Sequence, residues 1–473
     1  MTGPMAPQKY LVSPYKLGRL DDKFLVTTDA GGWAILNRKQ LELFQSGRAN
    51  FDVALFALLE NAGIINKTEN ILNETDRIKK RLWYLGNGPS LHVVAVTSVC
   101  NFACKYCYAK SSDTTKMSEE IAKKTVDFIM KSPAKTLVVE FSGGEPLLNF
   151  PAIKTVVLET WEKAKKKQKN VGFAMIHNGS NWDEKKAKFF IDHNVGLCFS
   201  LDGPRDLHNM HRPYRTGGGT YDDVVKWINY FRKKGYTSLQ ALPVITRHSL
   251  KRGREIVDEY LSHGFKIIRF KYLGYFGRAP ELWDEIGYEP HEYLFAWKDV
   301  IEYIFELYKR GISIREGMAE IMAKKLFDVP DPGYCELQMP CGAGLNQLAY
   351  APDGGIHTCD EGRMFTEFRL GSVDDKYSSV LKNATLQNML MASSGLHNAC
   401  DNCVLKPFCG VCPVESYRQQ GDIDSKIIFD RRHTIHSEMI TYLMKRSHDD
   451  PLFRKMLVFW AKNPIKGERI GPL

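Results

Sequence analysis

Residues 91–107 read Leu91-His-Val-Val-Ala-Val-Thr-Ser-Val-Cys100-Asn-Phe-Ala-Cys104-Lys-Tyr-Cys107, an apolar run that passes straight into a C-x3-C-x2-C loop. The run predicts a buried strand, and the loop places three thiols at its end. Three thiolates suffice to ligate three irons of a cubane 4Fe-4S cluster, with the fourth iron left open for another ligand. Zinc is the alternative, but structural zinc takes four protein ligands, and no fourth cysteine or histidine stands nearby in the sequence. Further apolar runs follow at Leu137–Phe141, Gly172–Ile176, Val195–Leu201, Ser238–Ile245 and Ile267–Leu273, with helical periodicity between them. One helix is predicted to open at Ser118 as N-cap, with Glu119 and Glu120 in the positive first turn and Ile121, Thr125, Phe128 and Ile129 on one face. Six strands alternating with helices predict an α/β fold, a partial (β/α)6 TIM-like barrel with a parallel sheet. In such barrels the site lies where the strands end.

The second and fourth predicted strands also end in polar, glycine-bearing loops. After the second comes Ser142-Gly143-Gly144-Glu145-Pro146, where the glycines admit close backbone approach and the carboxylate suits an ammonium group. After the fourth comes Ser200-Leu-Asp202-Gly203-Pro204, followed by Asp206, His208, His211 and Arg212-Pro213. Asp202 stands over the expected cavity, where a carboxylate positions substrate or accepts a proton. For Asp206, His208 and His211 ordinary loop polarity is an equal alternative. Cys198, within the strand, is expected to serve packing.

Four segments are expected: an N-terminal module over 1–88, the barrel over 89–325, a cysteine-rich domain over 326–430 and a helical tail over 431–473. In the first, Lys23–Thr28 and Gly32–Leu36 predict small strands, and Arg38–Phe44 and Asp52–Ala62 predict helices. A winged-helix-like module of this kind holds a peptide by adding a strand; a structural lid is the alternative. In the third segment Cys335, Cys341, Cys359, Cys400, Cys403, Cys409 and Cys412 fall within 78 residues. Paired C-x2-C spacings also suit two zinc ribbons.

The 473 residues carry 65 Lys+Arg against 55 Asp+Glu, a net +10. The excess is spread over helices such as Glu162–Lys169, so it reads as a solvated surface rather than a nucleic-acid or membrane footprint. The opening stretch lacks the apolar core of a secretory signal, and no run of about 18 apolar residues could span a bilayer. A cytoplasmic protein is therefore expected, whose eleven cysteines point to metal or redox chemistry rather than disulfides.

Taken together, the cysteine loop, GGEP and the SLDGP…H…RP segment resemble the radical S-adenosylmethionine superfamily over roughly residues 90–275. The resemblance implies that Cys100, Cys104 and Cys107 hold a cluster whose open iron binds S-adenosyl-L-methionine. It also implies that Gly143, Gly144, Glu145 and Pro146 contact the methionine amino group, Ser200 the ribose and Arg212 the carboxylate. Asn178, in His177-Asn-Gly179 where relatives often have Thr-Asn-Gly, is a further cofactor-binding candidate. The C-terminal cysteines resemble a SPASM extension with two auxiliary 4Fe-4S clusters: Cys335, Cys341, Cys359 and Cys412 for one, Cys400, Cys403 and Cys409 for the other. The eighth cysteine is missing, and Asp430, with His433 second, is the expected substitute. Over most of the chain the order of motifs, from 90–107 through 139–151 and 200–213 to Phe368–Ser372, is similar to the His-Xaa-Ser-system radical SAM peptide maturases. That similarity implies a peptide maturase, which uses a deoxyadenosyl radical to abstract hydrogen from a ribosomally made precursor peptide and installs a crosslink or related modification. It also implies an external electron donor such as ferredoxin or flavodoxin, with neither nucleic acid nor membrane as partner. The alternatives are anaerobic formylglycine formation in sulfatases and, in another class, a non-catalytic iron–sulfur or zinc protein, which has no need of GGEP.

Overall fold

The computed structural model describes residues 10–67, 71–109, 113–327, 330–396 and 398–465. Most of the opening stretch read above for a signal sequence, and the end of the C-terminal tail, lie outside them. The N-terminal module starts with β1 (Leu11–Val12), then an antiparallel meander of β2 (Tyr15–Leu20), β3 (Lys23–Thr28) and β4 (Trp33–Leu36). Helices Arg38–Gln45 and Val53–Asn61 follow, capped by the side chains of Asn37 and Asp52, and β5 (Ile65–Asn66) returns to pair with β1. Alternation along β3 and β4 splits their side chains: Val26, Ala34 and Leu36 fill the module's own core with Phe44, Leu55 and Leu59. Leu25 and Ile35 join the main core of the molecule. β2 was not anticipated, because its sequence YKLGRL carries a glycine and charges and its side chains stay half-exposed.

The barrel strands form where the apolar runs predict them: β6 (Leu91–Thr97), β7 (Thr136–Gly143), β8 (Asn170–His177), β9 (Gly196–Ser200) and β10 (Leu239–Leu242). They lie parallel, in the order β10-β9-β8-β7-β6. The helix Glu119–Ile129 is capped by the Ser118 hydroxyl, which accepts from the Ile121 N–H. The sixth strand is shorter than expected. It shrinks to β11 (Ile267–Ile268), which pairs with β12 (Arg315–Glu316) and meets the sheet beyond β10 through a single bridge, Val244–Lys271. The reason is tertiary: the Phe270 N–H is taken by the Glu316 carboxylate and the Leu273 N–H by the Tyr288 hydroxyl, so two of the ladder's donors are lost.

On the far side of β6 the sheet continues with β13 (Gln347–Tyr350), parallel to it, and then antiparallel β14 (Gly355–His357) and β15 (Arg369–Ser372). The cysteine-rich segment is thus hydrogen-bonded into the barrel sheet. Helices Arg431–Asp449 and Pro451–Lys462 bury Leu443, Met444, Phe453 and Trp460 in the main core. Among the described residues no helix is long and apolar enough to cross a membrane.

Candidate radical and auxiliary cluster sites

Two glycines set the position of the Cys100 loop. The Gly144 N–H donates to the Thr97 carbonyl (2.8 Å) and the Glu145 N–H to the Val99 carbonyl (2.8 Å), which lashes the end of β7 to the chain entering the loop. A Cβ on Gly143 would collide with the Thr97 carbonyl, and one on Gly144 with the carbonyls of Val99 and Ser98. Gly143 also has φ +130°, a conformation that side chains rarely adopt. The loop is held on its other flank by the Ala103 N–H to Pro213 and the Lys105 N–H to His211. The three thiols lie in the loop that follows β6, within electrostatic reach of one another.

Glu145 is fully buried and braces strand ends. Its oxygens accept the N–H groups of Leu147 (3.0 Å) and Asn178 (2.7 Å), and burial pushes its carboxyl up to about 7. Pro146 opens the short turn that follows. Asn178 reaches back into the loop, donating to Asn101 Oδ1 (2.9 Å) and lying 3.7 Å from Cys100 Sγ. His177 is a packing residue. Its ring sits against Phe199 and Trp182, Nδ1 accepts the Gly179 N–H, and burial lowers its pKa to about 3.

Asp202 and Arg212 meet beneath the loop. Arg212 Nε lies 3.1 Å from Asp202 Oδ1, its guanidinium stacks on Tyr106, and Nη1 is 4.0 Å from Cys104 Sγ. The Tyr106 hydroxyl, within the cysteine loop, donates to Asp202 Oδ2, and the Val244 N–H donates to Oδ1. Burial works against the Asp202 charge, yet Arg212, His208, His211 and the Tyr106 bond together hold its carboxyl below the usual range. Asp202 is thus an ionised brace, enclosed by partners. His208 links the Asp202 N–H to Thr220, and His211 pairs with Thr246. Ser200 ends β9 on the same strand face as Cys198, while Leu197 and Phe199 point to the opposite core. Asp206 lies outside this set, in an exposed pair with Arg252.

The auxiliary cysteines gather in two groups. Cys335 Sγ and Cys341 Sγ are 3.6 Å apart. With Cys359 and Cys412 they lie close enough to affect each other's ionisation, and Cys359 and Cys412 are pushed well up, first by burial. Cys400, Cys403 and Cys409 form the second group, with Cys400 pushed up to about 11 by burial and its two neighbours. Asp430 is placed as the N-cap of Arg431–Asp449, where Oδ1 accepts the His433 N–H (3.0 Å) and Oδ2 the Ser425 hydroxyl. Its charge is felt at Glu415, Arg432 and His433.

The donor set suits iron–sulfur clusters. Backbone N–H groups are directed at the sulfurs of Cys100 (from Phe102, 3.5 Å), Cys359 (Gly362, 3.3 Å), Cys403 (Leu405, 3.4 Å) and Cys412 (Glu415, 3.5 Å). Such hydrogen bonds stabilise thiolate ligands and tune cluster potentials. Among the described residues, no three His, Cys, Asp or Glu side chains converge tightly enough to hold a single ion; a cubane asks each thiolate to meet its own iron.

Sequence reasoning missed a cluster of charged and polar side chains that ties the Cys100 loop to the first auxiliary group. The Tyr108 hydroxyl, next to Cys107, donates to Asp360 Oδ2 (2.6 Å), next to Cys359. Arg363 holds the other oxygen of Asp360. Glu140 on β7 is pushed up to about 7, by burial first and then by Asp360, with Arg269 and Lys271 opposing. The usable signal was the period-two placement of Glu140 and Ser142 on one strand face; the partners come from distant segments.

The radical SAM superfamily model matches residues 94–260. A cysteine-type anaerobic sulfatase-maturating enzyme of Clostridium perfringens is 24% identical over 331 residues, covering 66% of this chain and 85% of that protein. Of the solved structures, native anSMEcpe with bound AdoMet superposes with a TM-score of 0.66 at 19% identity, over 78% of this chain and 100% of that one. Streptococcus suis SuiB bound to precursor peptide SuiA superposes at 0.51 and 13% identity, over 87% and 97%. Residues 94–260, which contain the Cys100 loop, thus form a radical SAM domain, and the chain that carries it is an enzyme.

Proposed function

We propose that this enzyme modifies a ribosomally made precursor peptide in the cytoplasm, installing a crosslink, and that it carries three 4Fe-4S clusters fed by an external electron donor such as ferredoxin or flavodoxin. Cys100, Cys104 and Cys107 hold the first; Cys335, Cys341, Cys359 and Cys412 hold the second; Cys400, Cys403 and Cys409 hold the third, with Asp430 its candidate fourth ligand. Bound there, the clusters and S-adenosyl-L-methionine supply the radical that removes a hydrogen atom from the peptide and the sink for the electron left when the new bond closes.

The chain's own residues do the rest. Gly143 and Gly144 open the backbone cradle for the methionine group, Asn178 and Ser200 line it, and Asp202 fixes Arg212 beside Cys104. The observation that carries the reading is the Tyr108–Asp360 hydrogen bond, which joins the segment after Cys107 to the segment after Cys359. Peptide capture is supported by a cavity of about 260 Å³ lined by Trp33, Ile35, Leu58, Phe327, His448 and Arg454.

Formylglycine formation is the second reading, favoured by the alignment of sulfatase-maturating relatives over two thirds of the chain. The test uses anaerobically reconstituted enzyme with reductant and S-adenosylmethionine. 5′-Deoxyadenosine is expected, and a peptide encoded beside the gene is expected to lose two hydrogens while staying linked on fragmentation. Conversion of a sulfatase peptide to formylglycine instead installs the second reading. No deoxyadenosine from iron-loaded enzyme overturns both.

A further inference from the structure

Arg432 lies on the seam between the two auxiliary cysteine groups. Its Nη1 donates to the carbonyl of Glu336 (3.0 Å), which follows Cys335, and its Nη2 to the carbonyl of Gly410 (3.2 Å), which follows Cys409. The two segments touch directly: a Cβ on Gly410 would collide with the Glu336 carbonyl. Arg432 is 2% exposed, and its Nε has no hydrogen-bond partner. Both acceptors are neutral; the carboxylates of Asp430 and Glu336 act on Arg432 only from beyond ion-pair distance, so among the described residues it has no contact counterion. A buried cation left in this state is costly unless an anionic group sits nearby.

A thiolate-ligated 4Fe-4S cluster is such a group, net negative and one unit more negative when reduced. We propose that Arg432 is a positioning residue shared by the two auxiliary clusters, a fixed cation that stabilises the reduced form of each and so raises both reduction potentials. The proposal rests on the reading of the two cysteine groups as cluster sites. A guanidinium suits the position because its planar fork satisfies two carbonyls while the charge stays delocalised between them.

The experiment is a potentiometric titration followed by electron paramagnetic resonance, on full-length reconstituted protein carrying Cys100→Ala, Cys104→Ala and Cys107→Ala, so that only auxiliary clusters are read. Arg432, Arg432→Gln and Arg432→Lys are compared. In Arg432→Gln the reduction equilibrium of both clusters is expected to fall about tenfold, about 59 mV for one electron, while Arg432→Lys stays closer to the parent. Unchanged potentials in an iron-replete Arg432→Gln protein overturn the tuning role alone. Absence of auxiliary iron from the parent overturns the cluster reading and the proposal with it. If Arg432→Gln fails to hold iron, Arg432→Lys decides: clusters with near-parental potentials support the proposal, and loss of its iron as well assigns Arg432 to structure only and overturns it.

Discussion

The Cys100 loop and the first auxiliary group, the two cysteine sets proposed to hold clusters, are built at opposite length scales. Cys100, Cys104 and Cys107 belong to one turn of chain at one strand end. Cys335, Cys341, Cys359 and Cys412 come from a short turn, a loop, the end of β14 and the N-cap of helix Pro413–Gln420. Closing a short loop costs little entropy, and gathering three segments spread over 78 residues costs more and is met only by the surrounding fold. The radical site is therefore a local object tuned by its neighbours, whereas the auxiliary sites are products of tertiary assembly. Lesions in the two should differ in kind.

The sharpest break comes from Cys104→Ala, which is expected to abolish 5′-deoxyadenosine formation while about eight of about twelve irons remain. Retained activity would dissolve the distinction between the sites. Cys341→Ala should do the converse, with deoxyadenosine still formed, about four irons lost and no modified peptide detected by mass spectrometry.

Smaller effects test the scaffolding. Gly144→Ala forces a methyl group against two carbonyls and should cost about 1–3 kcal/mol in chemical denaturation, with weaker cluster incorporation at the Cys100 site. Glu140→Gln bears on pH. The folded chain holds the Glu140 proton up to about 7, whereas the unfolded carboxyl ionises near 4.5, so rising pH between those values favours unfolding and costs the wild type about 3 kcal/mol. Glu140→Gln should flatten that slope, and an unchanged slope would show that Glu140 is ionised in the folded protein. Asp430→Ala is expected to cost about 1 kcal/mol through the lost helix cap. Loss of iron in addition would mark Asp430 as a ligand of the second auxiliary group.

Much of the barrel was legible because its strands are continuous apolar runs and its loops end in glycine-bearing motifs. Five strands form where the runs lie. The sixth is cut short because Glu316 and Tyr288, distant in sequence, take the N–H groups its ladder needed. β2 hid behind Gly18 and the charged Lys16 and Arg19, since an outer strand of a small module needs no apolar alternation. At the site, the cysteines and GGEP announced themselves by spacing. Asp202 looked like a free acid at a strand end, and its enclosure by Tyr106, Arg212 and the Val244 N–H could not be read from the chain.

The sequence alone determined the things that depend on short spacings: which thiols share a loop, where backbone must come close, and that strands alternate with helices. Tertiary structure decided what depends on contacts across hundreds of residues. It joined the cysteine-rich segment to the barrel through β13 and β6, set Tyr108 against Asp360, and buried Arg432 between two groups of thiols. The physical reason is that spacing fixes local geometry through the backbone, whereas charge and hydrogen-bond pairing are fixed only once packing has chosen each side chain's neighbours.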